Sequence, residues 1–397
     1  MTTATKPEPT PTTLVADRAK QVVGELLVPS LALITALVVG GVVIIFSNPD
    51  TLNAWSRFFA DPVDALRGSW EIVRDSYKAL FDSSLGDTTA VGRTLRETTP
   101  LLFGGLAVTL AFRAGLFNIG VAGQLLIGAA AAGYVGFTYD LPVAMHLPLA
   151  VLAGFAAGAA WGAIAGVIKA RTGAHEVILT IMLNYVGLQL LAYLLSTDAF
   201  HRPGRDDPIS PPVLESARFP KFSNDFPAHY GILLALAAAV GVWYLLNRTT
   251  LGFRMKAVGA NPHAARYAGM GVGATYALAM ALSGGLGGLA GTANILGVES
   301  YSLTRGYFFS TGFDGIAVAL LGRASPAGTV GAAVLFGVLR AGATGMQVDT
   351  GTPVDIIVII QALIIAFVAA PALIRVIWRV RAERVGRGQS FTTGWGG

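Results

Sequence analysis

"GILLALAAAVGVWYLLNRTTLGFRMKAVGANPHAARYAGM" runs from Gly231 to Met270. Its first part, through Leu246, carries no charge, and the apolar stretch can be read from residue 229. A hydrocarbon layer of ~30 Å needs ~20 apolar residues per crossing helix, so this run reads as a membrane span. Asn247 to Met270 then changes character. It holds Arg248, Arg254, Lys256 and Arg266, with no acidic residue, before another apolar run begins at 271. A span that ends on a short basic segment and is followed by a second span sets the fold class.

Similar runs recur along the chain. Apolar segments fall near 28–46, 98–115, 120–138, 147–168, 177–196, 229–246, 271–297, 311–322, 326–343 and 354–374. With 397 residues, 53% hydrophobic and 13% charged, and a mean hydropathy of +0.61, the chain has more apolar surface than one soluble core can bury. The 49 glycines suit close approach of membrane helices. The expected fold is an all-α polytopic bundle of about ten spans. The segment 311–322 is too short to cross alone, which leaves a re-entrant hairpin over 311–343 open.

Charge sorts the two faces. Alternating through ten spans puts both termini on one side, together with Lys169, Arg171, the basic residues of 247–270, Arg323, Arg375, Arg379, Arg381, Arg384 and Arg387. The short loops opposite hold almost no Lys or Arg, so the basic side is expected to be cytoplasmic. This sorting accounts for the net charge of +5 without any nucleic-acid partner. Residues 1–27, polar and Pro/Thr-rich at the start, read as a flexible cytoplasmic tail, and 375–397 as a basic one. Residues 28–374 form the transmembrane domain. Its outer segment 47–97 holds Asp61-Pro62, a helix start, then Leu66, Trp70, Val73, Tyr77 and Leu80 at amphipathic spacing. That helix can lie in the interface or pack on the protein's own spans.

The second half echoes the first. "GLFNIGVAGQLLIGA" (115–129) resembles "GYFFSTGFDGIAVAL" (306–320), and "EVILTIMLN" (176–184) resembles "DIIVIIQAL" (355–363). Five spans separate the copies, so they would enter from opposite faces. That is an inverted-topology repeat of the kind found in transporters.

Catalytic motifs are missing. No lysine follows a glycine as a phosphate-binding loop requires, His175-Glu176 lacks a second histidine four residues on, and Ser283 has no glycine two residues before it. There is no cysteine. The sequence points to no enzyme, metal or cofactor. Polar residues within spans are more informative, because each is costly in lipid unless it finds partners or water. Asn118, Gln124, Asn184, Gln189, Asn294, Asp314 and Gln361 qualify. Phe117, Asn118, Gln124, Asn184, Asn294 and Asp314 are the candidates for a substrate pathway, against the alternative that such amides only tie helices together. An ion-coupled secondary transporter would carry more ionisable residues in mid-span; Asp314 is the main one.

The basic segment has its own punctuation. Asn261 suits an N-cap, Pro262 the first helical position, and Gly269 the left-handed position after the helix. A helix of about two turns outside the membrane is marginal in water, so a docking role follows, with Arg254, Lys256, Asn261, Pro262, Ala265, Arg266 and Gly269 as the contact set.

At these residues "TTLGFRMKAVGANPHAARYAGM" resembles the cytoplasmic coupling segment of ABC-importer permeases of the branched-chain amino acid, simple-sugar and nucleoside superfamily. "FRAGLFNIGVAGQLLIGA", "EVILTIMLNYV" and "GFDGIAVALLGRASPAG" are similar to its nucleoside branch. The likeness runs from about residue 90 to 375. It departs at Ala122, where relatives often have glutamate, leaving the role of that position open. The resemblance implies a vitamin B12-importer-like architecture in a bacterial cytoplasmic membrane. It implies separate ATPase subunits, a second permease subunit in a heterodimer, and an external substrate-binding lipoprotein. The substrate would be a small molecule: a nucleoside, or alternatively a simple sugar or a branched-chain amino acid.

Overall fold

The computed structural model describes residues 11–223, 225–298, 300–305 and 309–379. Arg381, Arg384 and Arg387 of the expected basic tail lie outside the described residues, as do the first ten. Fifteen α-helices are present among the described residues: α1 (Pro11–Ser47), α2 (Pro49–Ser56), α3 (Pro62–Leu85), α4 (Thr88–Arg113), α5 (Val121–Thr138), α6 (Val143–Thr172), α7 (Glu176–Leu195), α8 (Gly231–Arg248), α9 (Thr250–Ala260), α10 (Pro262–Tyr267), α11 (Val272–Gly297), α12 (Phe309–Leu321), α13 (Pro326–Thr350), α14 (Asp355–Ala369) and α15 (Pro371–Ile377). Two short strands, β1 (Lys221–Ser223) and β2 (Phe226–His229), form an antiparallel hairpin. The protein is a polytopic helical membrane protein with this small addition to an otherwise helical fold.

Among the described residues seven helices are long and apolar enough to cross a membrane: Pro29–Ser47 within α1, then α5, α6, α7, α8, α11 and α13. Counting α14 and α15 as one span, bent by 92°, makes eight. The other expected spans differ for physical reasons. The first half of α4 carries Arg93, Arg96 and Glu97. The 13 residues of α12 reach only about 20 Å at 1.5 Å each, so the shortness noted at 311–322 is real.

The chain divides into two compact units, one built on residues before Arg74 and after Val354, the other on Arg74–Val354. In the first, Ala32 of α1 and Ile374 of α15 are buried together, with Leu31, Phe367 and Val368 around them. Trp378 Nε1 donates to Thr35 Oγ1 at 2.9 Å. Asn48 caps α2 by accepting from the backbone N–H groups of Asp50 and Thr51. Trp55 Nε1 donates to Ser69 Oγ at 2.8 Å, which ties α2 to the start of α3.

The second unit is organised around α4, α5 and α11. From Thr98 to Ala111 every residue of α4 is buried, as is every residue of α11 from Ser283 to Gly297. A helix apolar on all sides belongs inside a bundle, and here small residues permit it. Gly158 and Gly162 of α6 lie directly on Gly284 and Gly288 of α11, where a Cβ would collide with facing backbone. Backbones this close gain dispersion contacts, which drive helix association where water is absent. By contrast α7 and α8 expose Ile178, Met182, Val186, Leu233, Val240 and Trp243, residues suited to lipid. Between α7 and α8 the chain is not a plain loop. Ser210 N–H donates to Leu303 C=O at 3.1 Å and Phe219 N–H to Leu296 C=O at 2.9 Å, so this segment is bonded onto the end of α11 and the residues after it.

Candidate functional site

The helical chain breaks between α4 and α5, and the break begins with a glycine. Gly115 has φ +73°, a left-handed conformation that favours glycine. Ala114 N–H donates to Ala111 C=O and closes α4, and α5 resumes only at Val121. Residues 116–120 therefore present backbone groups that helix geometry does not satisfy. Buried groups of this kind need partners, and the expected pathway residues supply them.

Asn118, fully buried, is the centre of the arrangement. Its Nδ2 donates to Gln124 Oε1 at 3.0 Å and to Ser283 Oγ of α11 at 2.7 Å. Its Oδ1 accepts from Gly120 N–H at 2.9 Å and from Gln124 Nε2 at 3.2 Å. Ser283 Oγ in turn donates to Ala107 C=O of α4 at 2.6 Å. Asn184 of α7, also buried, accepts from Gly123 N–H at 2.7 Å and donates to Ile119 C=O at 2.8 Å. The two asparagines and Gln124 thus hold a broken backbone segment between α4, α7 and α11. Phe117 is half-buried and stacks on Phe112 with ring centroids 5.0 Å apart.

At the same break Glu176 Oε1 accepts from Phe117 N–H at 3.3 Å, while its Oε2 accepts from Lys169 Nζ at 2.7 Å. Lys169 also lies 5.4 Å from the centroid of Tyr276. The α6–α7 turn is thereby fixed to the start of the broken segment.

Asn294 and Asp314 have no hydrogen bond to this network among the described residues. Asn294 Nδ2 is buried without a partner among the described residues. Asp314 pairs with Arg340 of α13 at 2.5 Å, and Arg340 also donates to Thr311 Oγ1 at 3.2 Å. Gln189 Oε1 accepts from Arg305 at 3.4 Å, and Gln361 Nε2 is buried without a partner among the described residues.

The basic segment is more helical than its sequence suggested. Residues 250–260 form α9, capped by Thr249 Oγ1, which accepts from Gly252 N–H at 3.1 Å. Asn261 then caps α10, its Oδ1 accepting from Ala264 N–H at 2.9 Å, and Gly269 takes φ +79° after the helix. Ala265 is buried with Val258 and Val272, so it braces the elbow from inside. Arg254, Arg266 and Tyr267 are exposed, and Lys256 is half-exposed. Tyr267 is 95% exposed.

The two features touch. Gly259 of α9 lies against the break, where an added Cβ would sit 2.7 Å from both Arg113 O and Gly115 N. Met255 of α9 is buried in one cluster with Ala111, Ala114, Leu116 and Met280. Sequence reading gave no role at this site to Gly259, Ser283 or the Lys169–Glu176 pair, since one small residue among many and one ion pair across a turn carry no distinct pattern.

A second polar region lies where α4 begins and α13 ends. A cleft of about 360 Å³ is lined by Ser83, Arg93, Arg96, Glu97, Arg340 and Asp349 among others. Arg96 Nε is buried without a partner. Nearby on β2, His229 is buried and stacked on Phe219 at 5.3 Å. Its pKa falls to about 4, first because burial disfavours the imidazolium and also because Arg96 repels it.

With the glycine-broken segment and the capped basic elbow in place, comparison with known proteins gives the class of the chain. The profile of the family described as "Branched-chain amino acid transport system / permease component" matches residues 91–369. The chain belongs to this permease family. It is 41% identical over 353 residues to the guanosine ABC transporter permease protein NupP of Bacillus subtilis, covering 88% of this chain and 94% of that protein. It is 36% identical over 308 residues to the nucleoside ABC transporter permease protein NupB of Lactococcus lactis, covering 76% and 84%. The glucose ABC transporter permease protein TsgB13 of Haloferax volcanii is 35% identical over 354 residues, covering 85% and 86%. No solved structure matches the chain. The chain is a transport subunit, and ATP hydrolysis falls to separate subunits.

Proposed function

We propose that this chain is the membrane-spanning subunit of an ATP-driven importer that carries nucleosides across a bacterial cytoplasmic membrane. The two nucleoside-related permeases, at 41% and 36% identity, support that substrate class over the glucose permease at 35%, which keeps simple sugars as the second reading. Both termini and the α9–α10 elbow face the cytoplasm, in keeping with the sorting of Lys and Arg. Ten crossings in an inverted repeat, with vitamin B12-importer-like architecture, complete the reading. The partners are ATPase subunits at the elbow, a second permease subunit, and an external lipoprotein. On the same topology the cleft with Arg93, Arg96 and Arg340, at the start of α4 and the end of α13, would lie on the outer side.

One observation carries the coupling. The elbow that would receive an ATPase lies with Gly259 against Gly115, and Gly115 begins the segment that Asn118 holds. Force on α9 and α10 would reach the broken segment through backbone contact, without a flexible side chain between. Phe117, Asn118, Gln124 and Asn184 then act as the moving or positioning part of the pathway. Asn294 and Asp314 belong to its lining further along.

Ala265→Pro tests this reading. A proline there removes the Ala265 N–H bond to Asn261 C=O and destabilises the helix by roughly 3 kcal/mol or more. Membrane insertion should persist, because no span changes. Radiolabelled nucleoside uptake by the importer reconstituted with its ATPase and binding protein should be lost. Normal uptake by the variant would make the elbow a connector only.

A further inference from the structure

The segment after α1 carries an exposed apolar surface apart from the broken segment and the elbow. From residue 57 the chain turns between α2 and α3, and four large apolar side chains stand out from this turn and the first half of α3. They are Phe59 (102% exposed), Val63, Leu66 and Trp70 (67% exposed). The spacing of three and four places Val63, Leu66 and Trp70 on one side of α3, with Phe59 in the turn before it. At about 100° per residue the start of α3 therefore has three faces. Ala65 and Ser69 are buried, and Ser69 is bonded to Trp55. Val63, Leu66 and Trp70 form the exposed apolar face. Asp64, Arg67 and Glu71 form the charged one, with Arg67 Nε donating to Glu71 at 2.9 Å.

We infer that this turn and the first half of α3 form a seat on the membrane–water interface, with Phe59, Val63, Leu66 and Trp70 sunk into the headgroup–acyl boundary. Three observations select lipid as the occupant. The surface is continuous with a span: α1 exposes Ile34, Val38, Val42 and Phe46 at intervals of four, and α2 begins two residues after α1 ends. Only Asn48, the eight residues of α2 and a five-residue turn separate the end of α1 from the start of α3. Next, Val63 to Trp70 covers about 10 Å along the helix, too short to cross a bilayer and enough to lie on one. The charged face beside it also needs water. Finally, Trp55, Phe58, Phe59 and Trp70 gather here, and Trp55 stacks on Phe58 at 5.0 Å. Aromatic side chains concentrate at this depth of a membrane. The seat would set the height and tilt of α1 in the bilayer. It needs neither the ATPase nor the substrate named above.

The natural chain has no cysteine, so single cysteines can carry a spin label without further changes. The full chain would be placed in phosphatidylcholine–phosphatidylglycerol vesicles with labels at Val63→Cys, Leu66→Cys, Trp70→Cys, Arg67→Cys and Glu71→Cys. Collision with oxygen, which concentrates in lipid, and with a water-soluble nickel chelate would be measured at each site. The ratio of oxygen to nickel accessibility should be at least threefold higher at the three apolar positions than at Arg67 and Glu71. Equal ratios at all five would put the stripe in water and overturn the inference. Low accessibility to both reagents at the apolar positions would also overturn it, because protein would then cover the face. The three apolar sites report independently, so loss of one variant to misfolding leaves the test intact.

Discussion

The broken segment at 114–120 and the elbow at 247–270 were both legible as polar interruptions between apolar runs, yet they satisfy their polar groups in opposite ways. In the first, the amide side chains are spent on internal bonds, and Asn118 alone takes part in four hydrogen bonds. In the second, the caps are satisfied but the cations and Tyr267 stay outside. Asn118 shows that a polar residue between spans is no sign of a free site, because it is costly in lipid unless it finds partners or water. A polar residue on an exposed short helix has no such pressure. Its exposure calls for another explanation, and a docked partner provides one. The difference separates a part that is held from a part that is presented.

The contact between the two regions offers the largest effect. Gly259→Leu would force at least a Cβ into the space 2.7 Å from Arg113 O and Gly115 N. Overpacking of this kind costs about 1–3 kcal/mol, here at the junction that would link elbow to break. Nucleoside uptake should fall by more than tenfold while the variant still copurifies with its ATPase. Gly241→Ala in α8 is the matched control, since its Cβ would meet nothing within 4 Å. Unchanged uptake in Gly259→Leu would separate the two regions mechanically.

The second effect lies inside the break. Asn118→Leu leaves Gly120 N–H, Gln124 and Ser283 short of a partner, and each buried group left unpaired costs about 1–3 kcal/mol. If Asn118 chiefly holds the segment, thermal stability in detergent and uptake should fall together, with uptake reduced several-fold. If it chiefly touches substrate, uptake should fall while Tm stays within a degree or two of the wild type. That second result would move Asn118 from positioning residue to pathway lining.

How much of this could be read from the chain differs between the regions. The elbow was legible because caps are local: Asn261, Pro262 and Gly269 each act within a turn of themselves. Even so, α9 was missed, since "TLGFRMKAVGA" contains two glycines and no strong amphipathic period. At the break, Gly115 and the amides signalled an interruption, but their partners lie far along the chain. Ser283 is 165 residues from Asn118 and Asn184 is 61 from Gly123, separations over which a single sequence carries no pairing information. The burial of α4 was equally hidden, because an apolar helix reads alike whether it faces lipid or other helices. The short strands escaped for another reason. β1 and β2 have only three and four residues, too few to show an alternating pattern, and their pairing carries an irregular register.

The smallest effect tests whether presentation by the elbow depends on its cap. Asn261 Oδ1 satisfies one of the free N–H groups at the start of α10, and replacing such a cap by alanine costs about 1 kcal/mol. With only six residues, α10 has few internal bonds to absorb that loss. Buried Ala265 and its neighbours Val258 and Val272 resist unwinding from the other side. The balance predicts a loosened helix that still folds. Asn261→Ala should therefore weaken copurification of the ATPase by about fivefold, the factor that ~1 kcal/mol represents, and leave the stability of the spans unchanged. Asn261→Asp keeps an acceptor at the cap and adds a negative charge at a helix N-terminus, which is favourable. It should restore binding if the cap is what matters. If both substitutions weaken binding equally, Asn261 contacts the partner directly, and the elbow is recognised through its side chains as well as its shape.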